Sequence, residues 1–335
     1  MKHSTLRTPP SPAVRRRHHF GYRANLFMLR IGGIFLPLAY ALVYVVTIFF
    51  WFIDAQSRRA SMNFLDRVLG PRNYLKRRLQ SWRHFFTYGQ LLLDRSVALA
   101  EPSGAFKCRC PNRDNLLKAM QDDRALLILT AHFGAAELAA PMLTDLPNSR
   151  PFHFVVYRDM RDTTEHFHQD QWRALAHIRF INSMDPISAG VKIMAALQAH
   201  EFVALRADRA MSGRTLATQL LGATVELPAG PFMAAVLTQA NVVSAFTVRR
   251  GWRRYDLLVS APRQYSVAAG ENRADVLKIA AADFASDLEA AVKQYPYQWG
   301  NFFDLWLSPS ARQAPPNGEP PSDAPVKSPP GLPTT

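Results

Sequence analysis

ALLILTAHFGAAELAA, residues 125–140, is the stretch on which the fold turns. It opens with an apolar run, 125–129, that is short, bounded and unbroken by polar residues, the signature of a strand buried in an α/β sheet. Thr130, Ala131 and His132 end that strand, Phe133 and Gly134 supply a tight turn, and Ala135–Ala140 begins a helix. On one continuous helix His132 and Glu137 would face about 140° apart at 100° per residue. A strand-to-helix turn removes that obstacle, so the Glu137 carboxylate is expected to fold back and accept a hydrogen bond from the His132 imidazole. The pair sits at a strand's C-terminal end, where α/β sheets bind their ligands. A hydroxyl is a poor nucleophile at neutral pH, and a neutral imidazole within reach can take its proton as it attacks. A carboxylate behind the ring fixes the tautomer and stabilises the imidazolium.

Working outward, similar apolar runs recur in PFHFVVYR (151–158), EFVALRAD (201–208) and NVVSAFTVRR (241–250). Helix-like stretches separate them, such as AELAAPML (136–143) and SAGVKIMAALQAH (188–200), and a last helix is expected over about Ala274–Gln294. Strands alternating with helices predict a single α/β domain built on a sheet flanked by helices. The large aromatics of QWGNFFDLW (298–306) read as packing residues that seal the sheet. The chain has no G-x-S-x-G elbow, no Walker loop and no G-x-G-x-x-G, which leaves serine-hydrolase and nucleotide chemistry without support. Cys108 and Cys110 are the only cysteines, too few for a disulfide framework or a four-ligand zinc site. His166 and His168 in EHFHQD have metal-compatible spacing but no third ligand nearby, and read as surface histidines.

The N-terminus is a different kind of sequence. Residues 1–30 carry Lys2, Arg7, Arg15, Arg16, Arg17, Arg23 and Arg30 without an acidic residue, and residues 31–53, IGGIFLPLAYALVYVVTIFFWFI, carry no charge. As a helix this run would be about 34 Å long against a hydrocarbon core of about 30 Å, so it is expected to be a membrane anchor that spans or re-enters the bilayer. No small-residue cleavage site follows it, which speaks against a removable signal peptide. Between Ser57 and Arg95 basic residues alternate with Phe, Leu, Trp and Tyr at helical spacing, predicting two amphipathic helices broken near Gly70-Pro71. The expected organisation is a basic segment 1–30, an anchor 31–53, a catalytic domain 54–308 opening with amphipathic helices, and a proline-rich tail 309–335 with too little apolar content to fold.

A formal net charge of +14 calls for an anionic partner. Nucleic acid is one candidate, but the positive charge gathers around a long apolar run, which makes anionic lipid the nearer explanation and gives nucleic acid no role.

Several blocks together carry a resemblance: SRRASMNFLDRVLG (57–70), AHFGAAE (131–137), VVYRDM (155–160), ALRADRAMSGR (204–214) and LLGATVELPAGPFMAAVL (220–237). Over about residues 25–308 the chain resembles the late acyltransferases of bacterial lipid A biosynthesis, the lauroyl and myristoyl transferases, within the glycerolipid acyltransferase superfamily. The resemblance implies an O-acyltransferase with a mixed sheet flanked by helices, working at the cytoplasmic face of the bacterial inner membrane. It implies an acyl carrier protein or acyl-CoA donor, a lipid acceptor, no metal and no cofactor. His132 and Glu137 match the family's catalytic H-x4-D/E. Arg158 matches a basic position expected to meet substrate, and Asp208 and Arg209 fall in a polar block beside the active site. The ending YPYQWGNFFDLW (295–306) departs from the family's usual one and is more similar to relatives found with aryl-polyene or xanthomonadin-type pigment biosynthesis. The resemblance therefore leaves the acceptor open between a lipid A precursor and such a pigment lipid, and a non-catalytic lipid-binding protein of the same fold remains the rival reading.

Overall fold

A computed structural model describes residues 36–100, 106–139, 150–156, 177–210 and 213–306. Three helices come first: α1 (Leu36–Ile53), α2 (Ala55–Leu69) and α3 (Tyr74–Ala100). Asp54 breaks the first from the second, its side chain accepting the Ser57 N–H at 3.0 Å as an N-cap, and the two axes meet at 97°. The break near Gly70-Pro71 appears as expected, with Gly70 at φ +78°.

The rest is an α/β domain. Its elements are β1 (Lys107–Arg109), α4 (Arg113–Met120), β2 (Leu126–Thr130), a single 3-10 turn at Ala136–Ala139, β3 (Phe152–Val156), β4 (Ile178–Asn182), α5 (Pro186–Gln198), β5 (Phe202–Arg206), β6 (Thr215–Leu220), β7 (Ala223–Pro228), α6 (Ala229–Thr238), β8 (Asn241–Gly251), β9 (Arg254–Val259) and α7 (Arg273–Gln294). Seven strands form one mixed sheet in the order β1-β9-β8-β2-β5-β3-β4, in which β8, β2, β5, β3 and β4 run parallel and β9 runs antiparallel to β8. The remaining two, β6 and β7, pair as a hairpin.

β2 lies at the centre, and all five of its residues are buried because both faces of the sheet are covered. Its side chains divide by alternation. Leu127 and Leu129 join one core with Val203, Leu205, Phe246 and Phe284, while Leu126 and Ile128 join another with Leu116, Phe202 and Ala245. The segment after β2 differs from expectation: in place of an α-helix, residues 136–139 make one 3-10 turn.

Of the expected anchor, 31–53, residues 31–35 lie outside the described residues. α1 has 18 residues, about 27 Å of helix, and among the described residues no single helix is long and apolar enough to cross a membrane; the bent pair α1 and α2 passes only when taken together. α1 lies antiparallel along α3. Tyr40 donates to Asp94, Trp51 Nε1 donates to Ser81 Oγ at 3.2 Å, and at the crossing a Cβ on Gly89 would sit 2.7 Å from Thr47 Cγ2. A second stripe of α3, His84, Tyr88, Leu91 and Arg95, recurs at helical spacing and faces the α/β domain.

Candidate active site

The turn after β2 is held from two sides. Gly134 adopts φ +63°, and a Cβ there would lie 1.6 Å from the Thr247 carbonyl oxygen of β8, so only glycine fits. The Gly134 N–H donates to Gln298 O at 2.8 Å, the Ala135 N–H donates to Thr247 O at 3.1 Å, and the Gly300 N–H donates to His132 O at 2.7 Å. Phe133 bridges Trp299 in antiparallel fashion. His132 is thus fixed between β8 and the C-terminal segment.

The imidazole does not pair with Glu137 as the spacing suggested. Its Nδ1 lies 2.9 Å from Asp208 Oδ1, at the end of β5, and the His132 backbone N–H donates to Asp208 Oδ2 at 3.1 Å. Two adjacent parallel strands therefore each deliver one member of the pair from their C-terminal ends. Asp208 is completely buried and takes a third hydrogen bond, from Trp299 Nε1 at 3.0 Å. Burial alone would push its carboxyl up, but the imidazole, Arg209 and the indole N–H hold it at about 2. An ionised carboxylate only accepts, so Nδ1 carries the proton and Nε2 presents a lone pair. Burial lowers the imidazole's pKa, Asp208 opposes that shift, and Arg209 and Arg206 reinforce it, which favours the neutral ring.

Glu137 is held elsewhere. Its Oε1 lies 3.0 Å from Arg95 Nε of α3 and 3.2 Å from an Arg206 guanidinium nitrogen of β5. Burial would raise this carboxyl, but the two guanidinium groups depress it. Arg209 donates to Gly300 O and lies over the Phe303 ring at 4.7 Å. Arg158, His166 and His168 lie outside the described residues. Among the described residues no cluster of three or more metal-ligating side chains occurs.

Two cavities meet at Glu137. One is polar, lined by Tyr88, Arg95, His132, Gly134 and Arg206. The other is an apolar groove over the sheet, lined by Leu116, Ile128, Phe154, Phe180, Ala245 and Leu257 and partly open to solvent. Ala136, Glu137, Val156 and Arg206 belong to both walls. The arrangement supplies a proton acceptor where a polar chamber joins a hydrocarbon-lined one.

Over residues 36–308 the sequence matches the model of the bacterial lipid A biosynthesis acyltransferases. The chain belongs to that family. No individual curated protein matches it. As a lipid A biosynthesis acyltransferase it requires an acyl donor and a lipid acceptor, and the junction beside His132 offers separate surroundings for hydrocarbon and for polar groups.

Sequence reasoning reached His132, Glu137, Asp208 and Arg209 but not their pairing, and it missed Arg95, Arg206 and Trp299. Asp208 is 76 positions from His132, and Trp299 is 91 from Asp208. No local spacing signals such partners. Trp299 stood in a run read only as packing, QWGNFFDLW.

Proposed function

We propose that this acyltransferase moves a fatty acyl group from an acyl carrier protein or coenzyme A thioester to a lipid hydroxyl, with His132 as general base and no acyl-enzyme. The observation that carries this reading is the buried Asp208 on Nδ1, which leaves the Nε2 lone pair of a neutral imidazole beside the polar chamber. The acceptor hydroxyl gives its proton to Nε2 as its oxygen attacks the thioester carbonyl. The carbon–sulfur bond then breaks, and the thiolate takes the proton back from the imidazolium, leaving an ester and a thiol. Asp208 stabilises the imidazolium. The acyl chain occupies the apolar groove. Glu137, Arg95 and Arg206 form a charged rim beside the polar chamber, suited to polar parts of donor or acceptor, and Arg158 belongs to the same role.

The lipid surface follows from α1. Val45, Phe49, Phe52 and Ile53 are exposed on the face turned away from α3, next to a basic stretch with Arg58, Arg59 and Arg72. Because α1 lies along α3, whose other stripe faces the active site, we place it in the headgroup plane of an anionic cytoplasmic leaflet rather than across it. The acceptor is a lipid A precursor. Lipid mass spectrometry of a deletion strain tests this: loss of one acyl chain from lipid A is expected. An intact lipid A with loss of an acylated aryl-polyene pigment would move the acceptor to the pigment branch.

A further inference from the structure

We propose that Trp299 is a positioning residue for the catalytic base: its indole N–H locks the Asp208 carboxylate in the one orientation that serves both the ring and the backbone of His132. This rests on the reading of His132 as general base. A free aspartate carboxylate turns easily, since rotation about Cβ–Cγ has broad, two-fold wells. Here Oδ1 receives His132 Nδ1–H, and Oδ2 receives two N–H groups, the His132 backbone at 3.1 Å and the Trp299 indole at 3.0 Å. Arg209 adds charge at 3.9 Å from Oδ2, beyond hydrogen-bond distance. Among the described residues, the indole is thus the one side-chain donor, besides the imidazole itself, that fixes the carboxylate's rotation.

The indole is itself immobile. The Trp299 ring meets Phe64 of α2 edge-on at 5.3 Å, and its carbonyl oxygen accepts from His84 Nε2 of α3 at 2.7 Å. His84 is fully buried and its pKa is pushed down to about 4, so the ring is neutral and its single N–H is committed to that carbonyl. The Ser61 hydroxyl donates to the other nitrogen at 2.9 Å. Packing alone would be met by any large ring at position 299. The direction of the N–H is what packing does not require.

The test replaces Trp299 in the full-length protein with Phe, and separately with benzothienylalanine, which keeps the bicyclic shape and removes the N–H. The first readout needs no substrate: the pH midpoint of His132 modification by diethyl pyrocarbonate, obtained by difference from His132→Ala. The charged groups around that ring are Asp208, Arg206, Arg209 and Glu137, and only Asp208 loses a donor. With its carboxylate free to turn, Asp208 holds the Nδ1–H less well and the imidazolium loses part of its stabilisation, so the midpoint should fall by about half a pH unit or more. The second readout is turnover with an acyl carrier protein donor, where kcat should fall roughly 10- to 100-fold, the range of one hydrogen bond to a charged group, with KM nearly unchanged. Trp306→Phe, which removes an indole bonded to Leu220 O at 3.2 Å, should move neither readout. An unchanged midpoint and unchanged kcat in the benzothienylalanine protein would overturn the proposal. A lowered midpoint in a protein that transfers no acyl group would support the brace and remove the acyl-transfer reading.

Discussion

Asp208→Asn separates the two carboxylates of the site most sharply. The amide must turn its oxygen toward either Oδ1's single donor or Oδ2's two, the His132 backbone N–H and the Trp299 indole. Two donors win, so the NH2 faces His132 Nδ1. A ring that accepts at Nδ1 must carry its proton on Nε2, the atom that should be taking one. The imidazolium also loses its counter-ion. With charge centres about 4 Å apart and an effective dielectric of about 20, that attraction is about 4 kcal/mol. At 1.36 kcal/mol per decade this alone is about 10³ in rate, and the wrong tautomer brings the expected loss in kcat to about 10³ to 10⁴. The assay is steady-state acyl transfer from an acyl carrier protein thioester over a pH series. Burial already lowers the imidazole, and Asp208 is what opposes that shift; with the anion gone the acid limb of kcat/KM should move to lower pH as the plateau collapses. A folded Asp208→Asn enzyme keeping more than about a tenth of wild-type kcat would refute the assignment, since general-base catalysis is worth roughly 10² to 10⁴.

Other changes probe other parts of the frame. Glu137→Gln should move the acid limb far less than Asp208→Asn, because Glu137 pairs with Arg95 and Arg206 and reaches the ring only through space; a limb that moves as far as in Asp208→Asn would restore Glu137 as the imidazole's partner. Gly134→Ala should destabilise the protein by about 3 kcal/mol or more, read from thermal or denaturant melts, since its Cβ meets the Thr247 carbonyl at 1.6 Å in a left-handed conformation; a wild-type melting curve would contradict that approach. His84 has a folded-state value depressed from 6.5 to about 4, so it contributes stability above the unfolded value that is lost as pH falls from 6.5 toward 4. Over that window the loss amounts to about 3 kcal/mol at 1.36 kcal/mol per unit. The melting temperature should drop across it, and His84→Gln should flatten the drop; an unaltered slope would show that His84 does not titrate there.

By itself the sequence determined what local pattern can encode. Period and length showed the strand at 125–129, the helices on either side of Gly70-Pro71 and the last helix, and the α/β class followed from their alternation. Gly134 marked the tight turn, and the charge-free run 31–53 marked an apolar face, though not whether it crosses a bilayer or lies on one. Tertiary structure alone decided which carboxylate serves the imidazole. His132 and Glu137 are five residues apart, yet the 3-10 turn aims Glu137 at Arg95 and Arg206, guanidiniums brought in by α3 and β5. Asp208 reaches His132 because β2 and β5 are neighbours in the sheet, a pairing made by hydrogen bonds between strands that no stretch of either one encodes. Trp299 reaches Asp208 because the C-terminal segment closes over the same turn through Gln298 and Gly300. Sequence periodicity reports which face of an element is buried; which faces meet is set by the packing of the whole chain.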